Sequence, residues 1–276
     1  PDTQPKLDLE SSPIPAEVKH FQSVPDWIER YPAGESEAQR RLQAFAKRIF
    51  DYNEHRDHPS IEGTSELSPY LAAGVISPRQ CLEMARQQRE GQTENKGAEI
   101  WISEITWLDF YTHVMVGYPR VSKHQPYKQK TSKIKWRDDK DDFQAWCEGR
   151  TGYPIVDAGM RQLNQTGWMH NRLRMVVAMF LSKNLLIDWR QGEQYFMTHL
   201  IDGDLAANNG GWQWSASTGT DAAPYFRIFN PWRQGRRFDP KGDFIRRHVP
   251  ELDQLQAEDL HVPERMSAWP RTACDY

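Results

Sequence analysis

Cysteine is scarce in this 276-residue sequence, which contains only Cys81, Cys147 and Cys274. The three lie far apart and form no CxxC pair, which argues against a disulfide framework and a cysteine-based zinc site and fits a reducing compartment. No apolar run is long enough to span a membrane, and the first ten residues are too polar and acidic for a signal peptide. These absences predict a soluble, cytoplasmic protein.

Metal-ligand clusters are equally sparse. His55 and His58 are spaced like a possible metal-binding pair, but no carboxylate or cysteine constellation completes them. The sequence therefore predicts no metal site.

A positive net charge is also absent, since the formal net charge is −3. The charge is unevenly distributed: residues 1–40 hold eight acidic and four basic residues, whereas residues 121–137 hold six basic residues and no acidic one. A second basic group comprises Arg233, Arg236, Arg237, Arg246 and Arg247. Phosphate binding needs only a local positive face, but charge runs are more often solvated loops. Charge alone leaves both interpretations open.

Tryptophan, in contrast, is abundant, with eleven residues in the chain. Tryptophan usually fills a core or anchors an interface. This many also suggest a flat ligand, stacked bases or a redox role.

The hydrophobic periodicity is helical almost throughout, without a convincing run of alternating strands. Residues 1–35 are interpreted as an interdomain linker or surface wrap, and residues 36–276 as one compact helical domain. Ser36 and Gln39 form a capping box, and Ser77-Pro78 predicts a second helix start. Further helices are predicted at about 98–116, 155–165, 169–184, 189–200 and from 202–204 to 217, with a basic loop at 121–140 and with Gly167 and Gly192 as boundaries. The predicted fold class is all-α.

Two segments in the first half of the chain could carry chemistry. Small hydroxyl residues in Gly63–Pro69 precede a helix and can cradle a phosphate, although a simple N-cap is the commoner explanation. Glu104 lies three residues from both Trp101 and Trp107, near one helical stripe. A carboxylate there binds a ligand, or it is exposed or paired with an arginine, because burying it unpaired is costly.

Two further segments lie in the second half. Residues 168–175 put polar and cationic groups on an apolar helix, with Asn171 and Met175 on one face; the plain interpretation is one solvated side and a satisfied histidine. Asp202 and Asp204 favour a helix start, after which Asn208 and Trp212 share a face. Gly210-Gly211 weakens a helix, so either a ligand ring or a tightly packed helix is expected beside it.

Together these segments resemble the DNA photolyase/cryptochrome family, and its class I bacterial cyclobutane-dimer photolyases in particular. The matching stretches are EGTSELSPYLAAGVISPRQCL, WISEITWLDFY, TGYPIVDAGMRQLNQTGWMHNRLRM and IDGDLAANNGGWQWSASTGTDAAPYFRIFNP. The resemblance covers about residues 40–250 and implies a multi-helix FAD-binding domain. Family members begin with an α/β antenna domain that binds a folate or a deazaflavin, and this chain lacks it, so a fragment of a longer protein is expected.

The resemblance implies a U-shaped FAD. Arg174 matches the arginine that pairs with Asp202, and Asn208 matches the asparagine facing flavin N5. Glu66 falls at a variable position, so its side chain is expected to point away from the phosphates. The implied FAD-binding residues are Tyr52, Thr64, Ser65, Glu66, Leu67, Ser68, Trp101, Arg174, Asp202, Gly203, Asp204 and Asn208.

The resemblance also implies an electron-transfer chain and a DNA site. Trp212, Trp189 and Trp136 match the chain that reduces the excited flavin, with Trp136 at its exposed end; alternatively Trp189 and Trp136 only pack. The implied pocket for a flipped pyrimidine dimer is formed by Glu104, Trp107, Asn171, Met175 and Trp214, while Arg56, Arg172 and Gln234 match residues near the DNA backbone. The (6-4) photolyases carry histidines where this chain has Asn171 and Met175, which favours cyclobutane dimers.

The implied activity is light-driven repair of cyclobutane pyrimidine dimers by electron transfer from reduced FAD, a carbon–carbon lyase reaction. Catalysis would involve Glu104, Asn208, Trp136, Trp189 and Trp212, and Glu104, in its protonated form, would stabilise the dimer radical anion. The expected partner is damaged DNA and the expected state is a monomer, associated with the bacterial nucleoid when bound to DNA. The alternatives are a cryptochrome-like photoreceptor without repair activity and a helical nucleic-acid-binding module without flavin.

Overall fold

The computed structural model describes residues 29–89, 95–221 and 227–262. Within these ranges the backbone is helical, and the only strand-like pairing is an isolated bridge between Arg137 and Ile187. The all-α prediction is confirmed. Two compact units divide the chain, residues 1–32 and residues 33–276. Most of the predicted linker, residues 1–28, lies outside the described residues.

Twelve α-helices are described in the second unit. They are α1 (Glu35–Ala46), α2 (Tyr52–His55), α3 (Ser68–Ala72), α4 (Pro78–Arg89), α5 (Lys96–Gly117), α6 (Lys140–Glu148), α7 (Pro154–Thr166), α8 (Asn171–Met179), α9 (Trp189–His199), α10 (Leu205–Ser215), α11 (Pro231–Phe238) and α12 (Asp243–His248). A π-helical turn, Phe180–Asn184, extends α8. Short 3-10 turns are Ile49–Asp51, Pro119–Lys123, Gln129–Lys133, Pro250–Leu252 and Asp259–His261.

Side-chain caps explain where several helices begin. The Ser77 hydroxyl accepts the amide hydrogen of Gln80 at 3.3 Å, so the predicted cap of α4 is present. Asp204 accepts the amide hydrogen of Ala207 at 2.7 Å at the start of α10. The predicted capping box at Ser36 is wrong: α1 begins at Glu35, after Gly34, and no side chain caps it. Its first turn instead carries Glu35 and Glu37, which interact favourably with the helix dipole.

The two predicted glycine boundaries have different outcomes. Gly167 ends α7 in a left-handed conformation with φ of +65°, as a helix C-terminus favours. Gly192 instead lies inside α9, within the helix predicted at about 189–200, and does not interrupt it. A side chain at Gly192 would collide with Trp212, and close packing therefore accounts for this glycine.

The hydrophobic core lies mainly among α6–α10 and α12. Trp146, Trp189 and Trp212 are fully enclosed there, so part of the tryptophan excess is core packing. Helix α5 connects this core with the N-terminal helices, since it packs against α2 and α4 on one side and α10 on another. At the α5–α10 contact, a Cβ on Gly210 would lie 2.0 Å from the Tyr111 ring. A tightly packed helix thus explains Gly210.

Candidate functional site

A cavity of about 1800 Å³ opens between α3, α4, α5, α8, α9 and α10. Typical small-molecule pockets measure about 300–1,000 Å³, so this volume suits a large ligand with room for a second one. Thirteen of the predicted site residues line it: Arg56, Ser68, Glu104, Trp107, Asn171, Arg172, Arg174, Met175, Asp202, Asp204, Asn208, Trp212 and Trp214. The other ten do not: Tyr52, Thr64, Ser65, Glu66, Leu67, Trp101, Trp136, Trp189, Gly203 and Gln234.

A buried ion pair joins α8 to the start of α10. Arg174 Nη2 lies 2.7 Å from Asp202 Oδ2 and 3.0 Å from Oδ1, and its Nε donates to the carbonyl of Met169 at 2.8 Å. The Asp202 side chain is only 1% exposed, so its charge depends on the guanidinium. Both residues line the cavity, and this pairing is the one that the resemblance implies.

The loop before α3 lies behind the cavity wall. Only Ser68 of Gly63–Ser68 lines the cavity, and its hydroxyl accepts the indole N–H of Trp168 at 3.2 Å. The guanidinium of Arg48 holds the loop from the other side, donating to the carbonyls of Glu62 and Thr64 at 2.6 and 3.0 Å. No side chain of the loop caps α3, so the simple N-cap interpretation is wrong.

Glu66 adopts a left-handed conformation with φ of +51°. Its carboxylate lies 3.6 Å from Arg41 and does not line the cavity. A side chain directed away from the cavity is what the resemblance implies for this position.

Glu104 on α5 is paired with an arginine, one of the outcomes that the sequence left open. Its Oε1 lies 2.8 Å from Arg56 Nη1. A second pair joins Arg172 to Asp57 at 2.8 Å, so both of these cavity-lining arginines have carboxylate partners. Trp107 is 47% exposed at the cavity, whereas Trp101 is buried against the ring of a neighbouring phenylalanine, with ring centroids 5.0 Å apart.

Helix α10 presents Asn208 and Trp212 to the cavity. Asn208 Nδ2 donates to the carbonyl of Glu193 at 3.0 Å, which leaves the amide oxygen to accept from a ligand. Trp212 Nε1 is buried and has no hydrogen-bond partner among the described residues.

The comparison with known families decides which ligand the cavity is built for. Residues 101–275 match the family described as the FAD binding domain of DNA photolyase. The chain belongs to the DNA photolyase family.

Individual photolyases and a cryptochrome are similar to this chain. A deoxyribodipyrimidine photo-lyase of Vibrio cholerae is 58% identical over 224 residues, covering 81% of this chain and 48% of that protein. A class III photolyase from Agrobacterium tumefaciens has a TM-score of 0.82 at 43% identity, covering 91% of this chain and 52% of that one. A Synechocystis cryptochrome has a TM-score of 0.80 at 36% identity, covering 87% and 50%. The chain thus spans about half the length of the photolyases that it matches.

The cavity residues fit the FAD of the photolyase family. Asn208 and Trp212 both line the α10 side of the cavity, and the amide oxygen of Asn208 is available there as a hydrogen-bond acceptor. A Cβ on Gly211, which lies between them, would meet no atom within 4 Å, so that part of the α10 wall is open. The sequence expected either a ligand ring or a packed helix beside Gly210-Gly211, and the cavity lies beside Gly211 while Tyr111 packs on Gly210.

The tryptophans assigned to electron transfer form a partial gradient of burial. Trp212 and Trp189 are buried, and Trp136, which is expected at the exposed end, is half-buried against the core and is the most exposed of the three. Trp136 stays in contact with the core because the amide of the next residue, Arg137, donates to the carbonyl of residue 186 at 2.7 Å and holds this segment in place. Trp146, which the sequence did not single out, lies with its ring centroid 6.0 Å from that of Trp212.

Three residues that contribute to this photolyase site were missed from the sequence. Glu193 supplies the carbonyl that orients Asn208, Asp57 pairs with Arg172, and Tyr111 lines the cavity beside Gly210. Burial and the negative charges of two nearby carboxylates raise the pKa of Tyr111. Only Tyr111 had a signal, since the helix-weakening Gly210 required a close neighbour.

Two classes of feature are absent from the part of the chain that the structure describes. No helix there is long and apolar enough to cross a membrane. Nor do the residues of the described ranges form a group of three or more His, Cys, Asp or Glu side chains suited to a metal ion.

Proposed function

We propose that this chain is the catalytic part of a cyclobutane pyrimidine dimer photolyase, with residues 36–276 as the FAD-binding catalytic domain. The observation that carries the proposal is that one cavity contains both sets of implied side chains. Arg174, Asp202 and Asn208 belong to the FAD set, and Glu104, Asn171 and Trp214 to the dimer set. The volume of about 1800 Å³ supports simultaneous binding of a cofactor and a flipped dimer.

The reaction assigns distinct tasks to the protein. FAD, when bound in its reduced form, supplies the light-excited electron that opens the cyclobutane ring and accepts it back, without net redox change. Asn208, held by the carbonyl of residue 193, offers its amide oxygen to the cofactor. Trp107 and Trp214 form apolar walls for the dimer, and Asn171 and Glu104 supply polar groups for the pyrimidine edges.

In the cavity without DNA, the Glu104 carboxyl group is already engaged by Arg56, whose Nη1 lies 2.8 Å from Oε1. We infer that binding of the dimer separates this pair. Arg56 is then available to the DNA backbone, and Glu104 can bond the pyrimidine edge.

Membership of class I is part of the proposal and rests on the four matching sequence stretches. The similarity to a class III photolyase at 43% identity indicates that the helical domain is shared between classes. We propose a monomeric, cytoplasmic enzyme whose partner is damaged DNA, with any antenna chromophore, folate or deazaflavin, bound outside this chain.

The proposed function is tested by repair of a thymine-dimer oligonucleotide with the photoreduced protein, comparing light with dark. Recovery of thymine absorbance only in the light is the expected result. FAD binding and photoreduction without any repair would favour the cryptochrome-like alternative, and absence of bound flavin would favour the nucleic-acid-binding module.

Glu104→Ala is expected to lower the repair rate at limiting DNA about tenfold, because a hydrogen bond to a charged group contributes about 1.5–3 kcal/mol. Glu104→Gln, which can still bond a pyrimidine edge, should lose less. Glu99→Ala is the matched control, since Glu99 is exposed on the same helix and does not line the cavity. Equal repair rates for Glu104→Ala and Glu99→Ala would contradict the role of Glu104.

A further inference from the structure

Gly192 lies where α9 crosses α10. A Cβ on this residue would lie 2.1 Å from Cη2 and 2.5 Å from Cζ3 of Trp212, and 2.7 Å from Cδ2 of Leu181. Real Cβ contacts do not approach this closely, so a side chain at 192 would force the indole to move by about 1 Å. Glycine is a poor helix former, so its presence inside α9 is explained by the close packing and not by helix stability.

The Trp212 indole has little room to move within the core. Its ring lies edge-on to Phe196 at 5.0 Å and to Trp146 at 6.0 Å, and the residue is only 2% exposed. Trp212 is also one of the residues that line the cavity. The cavity is therefore the adjacent space that could take up a ring displaced from Gly192.

The neighbouring residue of α9 holds the same face of α10. The carbonyl of Glu193 accepts from Asn208 Nδ2 at 3.0 Å, and its buried carboxylate accepts from Asn209 Nδ2 at 2.7 Å. His124 lies 3.3 Å from the second carboxylate oxygen. These bonds restrain α10, so the helix as a whole cannot retreat to relieve a clash at Gly192.

We propose that Gly192 is a positioning residue for the flavin face of the cavity. Because Gly192 has no side chain, the Trp212 indole can pack directly against α9. This packing keeps the ring out of the space that FAD occupies. The inference rests on the proposed function, because it takes the Asn208–Trp212 face to be the flavin face. It assigns to α9 a role in cofactor affinity through a residue that does not line the cavity.

The test is a double-mutant cycle on the full chain with Gly192→Ala and Trp212→Phe, measuring the FAD dissociation constant and the melting temperature at saturating FAD. Gly192→Ala alone should weaken FAD binding about tenfold and lower the melting temperature by several degrees, as overpacking of a core does. Combined with Trp212→Phe, it should cost much less of either, because phenylalanine lacks the two closest colliding atoms and only the flexible tip of Leu181 remains to shift.

Gly117→Ala is the control for helix propensity, since a Cβ there meets no atom within 4 Å. Unchanged FAD affinity in Gly192→Ala, or losses that simply add in the double variant, would overturn the proposal. A wild-type chain that binds FAD but repairs no dimer would overturn the proposed function instead. The FAD dissociation constants of the four chains could still be compared in that case.

Discussion

Arg174→Met is expected to lower the free energy of unfolding by about 3 kcal/mol and to abolish stable FAD binding. Removing one partner of a buried ion pair leaves an uncompensated charge, which typically costs about 3–5 kcal/mol. The Asp202 side chain is 1% exposed and Arg174 26% exposed, so the lower end of that range applies. Methionine keeps most of the aliphatic length of arginine, which isolates the effect of the charge. Urea denaturation and flavin absorbance after gel filtration provide the two measurements.

A second substitution identifies the cause of that loss. Asp202→Asn, added to Arg174→Met, removes the stranded carboxylate and should recover part of the stability. Arg161, which pairs with Glu251 at 2.6 Å and does not line the cavity, supplies a comparison: Arg161→Met strands a carboxylate that is 23% exposed, against 1% for Asp202, and should cost less than Arg174→Met. Similar losses for the two arginine variants would contradict the importance of burying Asp202.

Much of the helical architecture follows from local sequence signals. Apolar spacing located α5 and α9 to within about two residues, and Ser77-Pro78 identified the start of α4. Gly192 shows the limit of local signals. A glycine inside a helix and a glycine at its end are alike in sequence, and only the approach of Trp212 from α10, twenty residues later, distinguishes them.

The sequence predicted many of the residues of the candidate site, but not which of them line the cavity and which lie behind its wall. The resemblance named thirteen residues that share the cavity, yet it gave Thr64 and Trp101 the same status, and these lie behind the wall. Glu104 and Arg56 were assigned to separate roles, and their direct contact depends on how α2 packs on α5. Such pairings join residues far apart in the chain, so no spacing pattern reveals them.

His170 is expected to make the protein sensitive to acid. The residue caps α8, with Nδ1 accepting the amide hydrogen of Arg172 at 3.2 Å, so the ring proton lies on Nε2. That nitrogen is buried and has no hydrogen-bond partner within the described ranges. Burial lowers the pKa of His170 from 6.5 to about 4, and the charges of Arg172, Arg174 and Arg56 add to this effect while Asp57 opposes it.

The sign of the effect follows from proton linkage. Between about pH 6.5 and pH 4 the unfolded chain binds a proton at His170 that the folded chain excludes, so stability rises with pH across this window. The contribution is fully present above pH 6.5 and is lost as the pH falls toward 4. At 1.36 kcal/mol per pH unit, the loss between pH 7 and pH 5 is about 2 kcal/mol.

His170→Asn tests this expectation, because asparagine is among the best N-cap residues and does not titrate. The quantity to compare between the variant and the original chain is the drop in unfolding free energy from pH 7 to pH 5, not the stability of the variant at pH 7. That drop should be about 2 kcal/mol smaller in the variant than in the original chain. Other titrating groups are common to both chains and cancel. His199→Asn is the matched control, since His199 lies exposed near the end of α9. Equal drops in all three chains would mean that the His170 ring admits its proton without unfolding.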